Sequence, residues 1–137
     1  MTKFDLLNPA ALGEPKGWTN GVLAPAGARM LFVAGQAGWE TGAAGEAPPF
    51  AEQFGRALDK ILVVVREAGG DAACVARLTV YVSDMAAYLA SRRQLRDVWA
   101  ARFGGYYPAM ALVEVRSLVD RGALVEIEAT AAIGGRD

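Results

Sequence analysis

Apolar residues recur every three or four positions from Phe50 to Ala68. Phe50, Phe54, Ala57, Leu58, Ile61, Val65 and Ala68 form one stripe, and Glu52, Arg56, Asp59 and Arg66 lie opposite. That period predicts an amphipathic helix, with Pro49 suited to its first turn and Gly69-Gly70 ending it. A second stripe of Met85, Tyr88, Leu89, Leu95, Val98, Trp99 and Phe103 predicts another helix, capped by Ser83 or Asp84 and closed at Gly104-Gly105. Arg92 shares the register of Tyr88, Leu95 and Trp99. Elsewhere the period falls to two. Residues 76–82 predict a strand with Leu78, Val80 and Val82 inward. Residues 107–115 and 125–131 predict two more, with Met110, Leu112 and Glu114 on one face of the first and Glu126 and Glu128 on one face of the second. Apolar runs at 21–24 and 30–36 flank Pro25-Ala26-Gly27 and read as a hairpin, with Gly35 marking either a bulge or a close backbone approach to a ligand. Residues 1–17 show no period and are expected to be an irregular arm, and 39–49 a loop.

The order strand, strand, helix, strand, helix, strand, strand predicts one domain over 1–137. Its class is α+β: a two-layer sandwich of a mixed β-sheet with two helices on one face. The strand pairs at either end, joined by short loops, are expected as antiparallel hairpins, and each helix as a crossover between parallel strands. The last strands carry apolar residues on both faces, Met110 and Leu112 against Ala111, Val113 and Val115, which points to burial of the open face by self-association.

Composition narrows the chemistry. The net charge of -1 comes from 14 basic and 15 acidic residues with no block of like sign, which argues against nucleic acid as a partner. Neither a secretion signal nor an apolar run of membrane-spanning length occurs, so a soluble, cytoplasmic protein is expected. The single cysteine, Cys74, rules out an intrachain disulfide and a multi-cysteine zinc site and suits a small buried apolar role. The absence of histidine removes Ser-His-Asp and Cys-His nucleophilic machinery and histidine-ligated metals. Carboxylates, lysines, tyrosines and ordered water remain for acid–base work, and no metal or cofactor is expected.

Several segments, taken in order, resemble the RidA/YjgF family over nearly the whole chain. They are residues 31–36 (LFVAGQ), Glu52-Gln53 with Ala57-Leu58, Glu67-Ala68-Gly69-Gly70, residues 79–84 (TVYVSD), Pro108-Ala109, Val113-Glu114-Val115 and residues 125–129 (VEIEA). The resemblance implies a chorismate-mutase-like trimer with a small-molecule ligand in each inter-subunit cleft. Members of the deaminating type hydrolyse enamines and imines such as 2-aminoacrylate there and release ammonia. Because an imine is already electrophilic, such a site mainly has to hold the substrate carboxylate, position a water and stabilise the developing charge. The resemblance places the carboxylate-binding arginine directly after Pro-Ala, where this chain has Met110. A thioether offers none of a guanidinium's charge-assisted hydrogen bonds. At roughly 1.5–3 kcal/mol each, losing two costs on the order of a hundredfold or more.

The family's cleft tyrosine, its serine before Gly-Gln and its cysteine two residues past the arginine correspond to Trp18, Ala34 and Leu112, and a family asparagine corresponds to Arg92. Glu126 corresponds to the water-positioning glutamate and is expected in a pocket walled by Met110, Leu112 and Trp18. Two readings follow. One is an imine-hydrolysing enzyme acting on a neutral, aromatic or apolar ligand, with Glu126 catalytic. The other is a non-catalytic trimer that binds a small metabolite or a partner protein, with Glu126 and Glu128 serving as hydrogen-bonding groups at a subunit boundary. Arg92 is either a displaced substrate cation or a long side chain lying along an apolar stripe. Ribonuclease activity, attached to some relatives, is disfavoured by the acidic balance and the missing histidines.

Overall fold

The structure, a computed structural model, describes residues 4–135. The first three residues of the expected arm and the last two of the expected domain lie outside the described residues. The elements are β1 (Asp5–Leu7), β2 (Gly21–Leu23), β3 (Arg29–Ala37), α1 (Phe50–Glu67), β4 (Val75–Val82), α2 (Met85–Ala90), α3 (Arg92–Phe103), β5 (Ala109–Glu114) and β6 (Val125–Ile133), with short 3-10 turns at Ala10–Leu12 and Ala72–Cys74. Four strands form a mixed sheet in the order β3-β6-β4-β5, and β1 and β2 form a separate antiparallel pair. One face of the sheet is covered by helices, as the apolar patterning requires. Ala57, Leu58, Ile61 and Val65 of α1 pack with Val33, Leu78, Val80 and Ile127 in one cluster, all essentially buried.

The crossovers follow expectation. β4 and β5, joined through α2 and α3, pair in parallel. β3 and β4, joined through α1, run parallel because β6 lies between them and is antiparallel to both. The two expected hairpins are corrected. β2 pairs with β1, placing Gly21 opposite Leu7, so part of the arm read as irregular is a strand. At three residues, β1 is too short to show a period. β5 and β6 are not neighbours either, since β4 separates them. The parallel crossover takes one edge of β4, and residues 115–124 carry the chain past it to the other edge, where β6 closes the gap to β3.

The long second helix is also corrected to two, with the break at Ser91. The Ser91 hydroxyl donates back to the Ala87 carbonyl at 2.7 Å and so does not cap the helix that follows. Asp84 caps α2 by accepting from the Ala87 amide, as one of the two candidates should. Gln53 on α1 was not singled out for packing by the apolar period, yet it is completely buried. Its Nε2 donates to the carbonyls of Pro48 and Gly122, both at 3.0 Å, and its Oε1 accepts from the Leu124 amide at 2.8 Å. A Cβ at Gly38 would stand 2.6 Å from the Gln53 carbonyl, so only glycine lets the chain beyond β3 approach α1 this closely.

Candidate functional site

β5 is an edge strand, and its Met110 and Leu112 stand beside Leu78 and Val80 of β4, on the helix-covered face. Glu114 continues that row and accepts from the Met85 amide at 2.9 Å, tying the end of β5 to the start of α2. Between β5, the α2–α3 break and the 16–18 stretch lies a cleft of about 470 Å³. It is lined by Lys16, Gly17, Trp18, Phe54, Val80, Tyr88, Arg92, Leu95, Arg96, Trp99, Tyr107, Met110 and Leu112.

The Trp99 wall is held on three sides. Its ring stacks on Tyr107 (centroids 5.4 Å apart, planes 6° apart) and on Phe103 (4.3 Å, 15°), and its Nε1 donates to the Tyr106 carbonyl at 3.0 Å. Tyr106 is fixed in turn, since its hydroxyl donates to the Val75 carbonyl at 2.6 Å and burial holds the phenol well above its ordinary pKa. Trp18 is roughly half exposed (46%) and donates from Nε1 to Asn20 Oδ1 at 3.2 Å. Asn20 is itself anchored to Asn8.

Four of the six expected site residues, Trp18, Arg92, Met110 and Leu112, thus come together in one cleft. Glu126 and Ala34 do not line it. Within the single chain Met110, Leu112 and Trp18 line the cleft without Glu126, so the expected pocket that joins them would need a second copy. Glu126 pairs with Tyr81, which alternates with the core residues Val80 and Val82 and so points to the opposite face of the sheet. Alternation predicts which residues of one strand share a face, but not which faces of different strands coincide, and the inserted β4 decides that.

On this open face Tyr81 lies between Glu126 of β6 and Val113 of β5, and Thr79 between Glu128 and Ala111. Of the two readings offered for Gly35 the structure bears out the bulge, and the close neighbour found there is a side chain of the same chain. Gly35 sits where the β3–β6 register shifts between Val33 and Gln36, and it makes room for that neighbour. A Cβ there would stand 2.7 Å from Glu126 Oε2 and 3.0 Å from its Cδ, so the carboxylate occupies the space a side chain would fill. Partial burial, the charge of Glu128 and a hydrogen bond to it, and the charge of Glu126 raise the Tyr81 phenol above its ordinary pKa, against a smaller lowering by Arg77.

Sequence reasoning did not assign Lys16, Arg96 and Tyr107 to the site. Arg96 was within reach, because it lies one helical turn after Arg92. Lys16 and Tyr107 reach the cleft only through the path of loops that carry no period.

A mixed sheet, helices on one face and an edge-strand cleft define a small α+β domain of a widely shared type. The sequence model of the endoribonuclease L-PSP family matches residues 14–133, and the chain belongs to this RidA/YjgF family. A Yersinia pestis protein of the conserved Rid family, YyfB, of unknown function, is 29% identical with a TM-score of 0.78, over 95% of this chain and 98% of that one. A Pseudomonas aeruginosa protein of unknown function is 31% identical with a TM-score of 0.61, over 97% and 94%. The YjgF gene product of E. coli is 28% identical with a TM-score of 0.62, over 90% and 91%. No curated protein matches the chain.

Proposed function

We propose that this protein hydrolyses an imine or enamine whose body is bulkier and less polar than 2-aminoacrylate, in a site shared between two copies of the chain in a homotrimer. One copy supplies the cleft of Trp18, Met110 and Leu112, and the next supplies the open face bearing Glu126. The observation that carries this reading is the seat of Glu126. Gly35 leaves the carboxylate a fixed place on a face that the helices do not cover. A carboxylate so held can orient a water for attack on the imine carbon and take its proton. The carboxylate passes that proton to the nitrogen, an enamine having first tautomerised to its imine. The hydroxyl proton of the tetrahedral adduct follows as the C–N bond breaks, so that nitrogen leaves as ammonia and the C=O bond of the product forms. Met110 in the position where the resemblance expects an arginine supports a substrate other than a small 2-imino acid.

A second reading, a non-catalytic binder of a small metabolite or of a partner in the inter-subunit clefts, is favoured by one observation. Within a single chain the cleft has no carboxylate in its lining. Imines generated in situ from acidic and from apolar amines, followed by ammonia release, separate the two. The enzyme reading expects release above the uncatalysed rate with imines that carry a bulky apolar group, and a loss of about a hundredfold in Glu126→Gln. Wild-type rates in that variant overturn the role of Glu126. No release from any imine, with apolar ligands still raising the melting temperature, establishes the binder instead.

A further inference from the structure

We propose that the ligand of this cleft is an aryl or branched-alkyl carboxylate, with its acid group gripped at the rim by Arg92, Arg96 and Lys16. The inference rests on the reading of the cleft as the small-molecule site and adds the class of molecule it takes. The lining contains three cations and no acid, and among the described residues the salt bridges use Arg56, Lys60 and Arg102, leaving all three rim cations without a salt-bridge partner in their own chain.

The start of α3 points the same way. Its first turn holds Arg92 and Arg93, no acidic residue and no side-chain cap, because Ser91 turns its hydroxyl back to Ala87. Arg92 and Arg93, with no acid in that turn, leave net positive charge beside the cleft, which an anion bound there would offset. Arg92 and Arg96 are one turn apart, the spacing at which two side chains on one helix face can reach a single group. Below them the floor of Leu95, Trp99, Met110 and Leu112 is apolar, and the Trp99 ring is already fixed by stacking. At about 470 Å³ the cleft has the size of a small-molecule site and is far larger than a three-carbon imino acid requires. The acid group is thus bound by the helix-side rim, not by β5.

The test is calorimetric titration of the intact protein with 3-phenylpropionate, 3-phenylpropionamide and acetate. The acid is expected to bind at least about tenfold more tightly than the amide, and acetate to bind more weakly than the acid. The Arg92→Gln/Arg96→Gln double variant should abolish the acid's advantage by weakening acid binding at least about tenfold more than amide binding, which a folding defect, lowering both alike, would not do. Equal affinity for acid and amide, or an advantage that survives in the double variant, overturns the proposal and leaves the small-molecule reading standing. No binding by any of the three overturns both.

Discussion

Gln53 sits inside the apolar half of α1, where a helical wheel would place an aliphatic residue, and it makes three hydrogen bonds to backbone atoms. An amide is well matched to this place, because the approaching loop presents two carbonyls and one N–H. Gln53→Met keeps the length and shape but leaves all three backbone groups without their partner. With each group costing about 1–3 kcal/mol and some recovered by water, the expected loss is roughly 2–4 kcal/mol. Urea unfolding at fixed protein concentration checks it, as a lower midpoint with an unchanged slope. A midpoint equal to wild type would mean that the amide is dispensable. The sequence motif Glu52-Gln53 carried the family resemblance, but nothing in its spacing said that one residue is exposed and the other buried. Burial of a polar group depends on what the rest of the fold offers it, and here the offer comes from residue 48 and from residues 122–124, far apart in sequence.

At the scale of elements, α1 was legible end to end because its stripe is unbroken and Gly69-Gly70 stops it. β4 was legible because Leu78, Val80 and Val82 alternate cleanly. Pairing was not legible. Alternation sorts residues between faces but carries no information about the neighbouring strand, so β1–β2 and β4–β5 emerged only from the assembled sheet.

The connection from β5 to β6 shows why a short gap misleads. It passes over the end of β4 and is clasped to the loop after β3. The Thr41 amide donates to Asp120 Oδ1 at 2.9 Å, and the Arg121 amide donates to Thr41 Oγ1 at 3.2 Å. Hydrogen bonds from the Thr41 amide and hydroxyl hold the Asp120 carboxyl below its ordinary value of 3.8, outweighing a small opposing effect of burial. A depressed folded-state pKa gives a contribution that is complete above the unfolded value and lost as pH falls through the folded one. Hydrogen exchange should therefore show Thr41 amide protection constant between about pH 7 and 5 and falling on acidification below about pH 4, after correction for intrinsic rates. In Asp120→Ala that protection should already be low at neutral pH. Equal protection in the variant would show that the clasp does not depend on the carboxylate.

The whole molecule presents a sheet with one face packed by helices and the other carrying Phe32, 76% exposed, in line with Thr130 and Arg77 across the strands. Apolar residues on both faces of the strands point to self-association. The exposed Phe32, Met30 and Val113 are residues that such an interface would bury. The site was only half legible for the same reason. Trp18, Met110, Leu112 and Arg92 meet within one chain, whereas Glu126 and Ala34 belong to the other face, and no single-chain pattern can state how two faces of separate copies meet. If the proposed site spans two copies, assembly and catalysis must fail together while the cleft itself survives. Phe32→Asp tests this, since Phe32 does not line the cleft and is already exposed, so the monomer has little to lose from the change. Each copy forfeits about 1.5–3 kcal/mol of apolar burial and gains a desolvation cost for the new carboxylate, and a trimer contains the change three times. Light scattering across a dilution series should show the wild type at three times the chain mass and the variant falling towards one. Ammonia release should fall with the assembled fraction, while binding of 3-phenylpropionate to the cleft of the monomer is retained. A variant that stays trimeric removes Phe32 from the interface. A monomer that still releases ammonia at the wild-type rate removes Glu126 of a neighbouring copy from the mechanism.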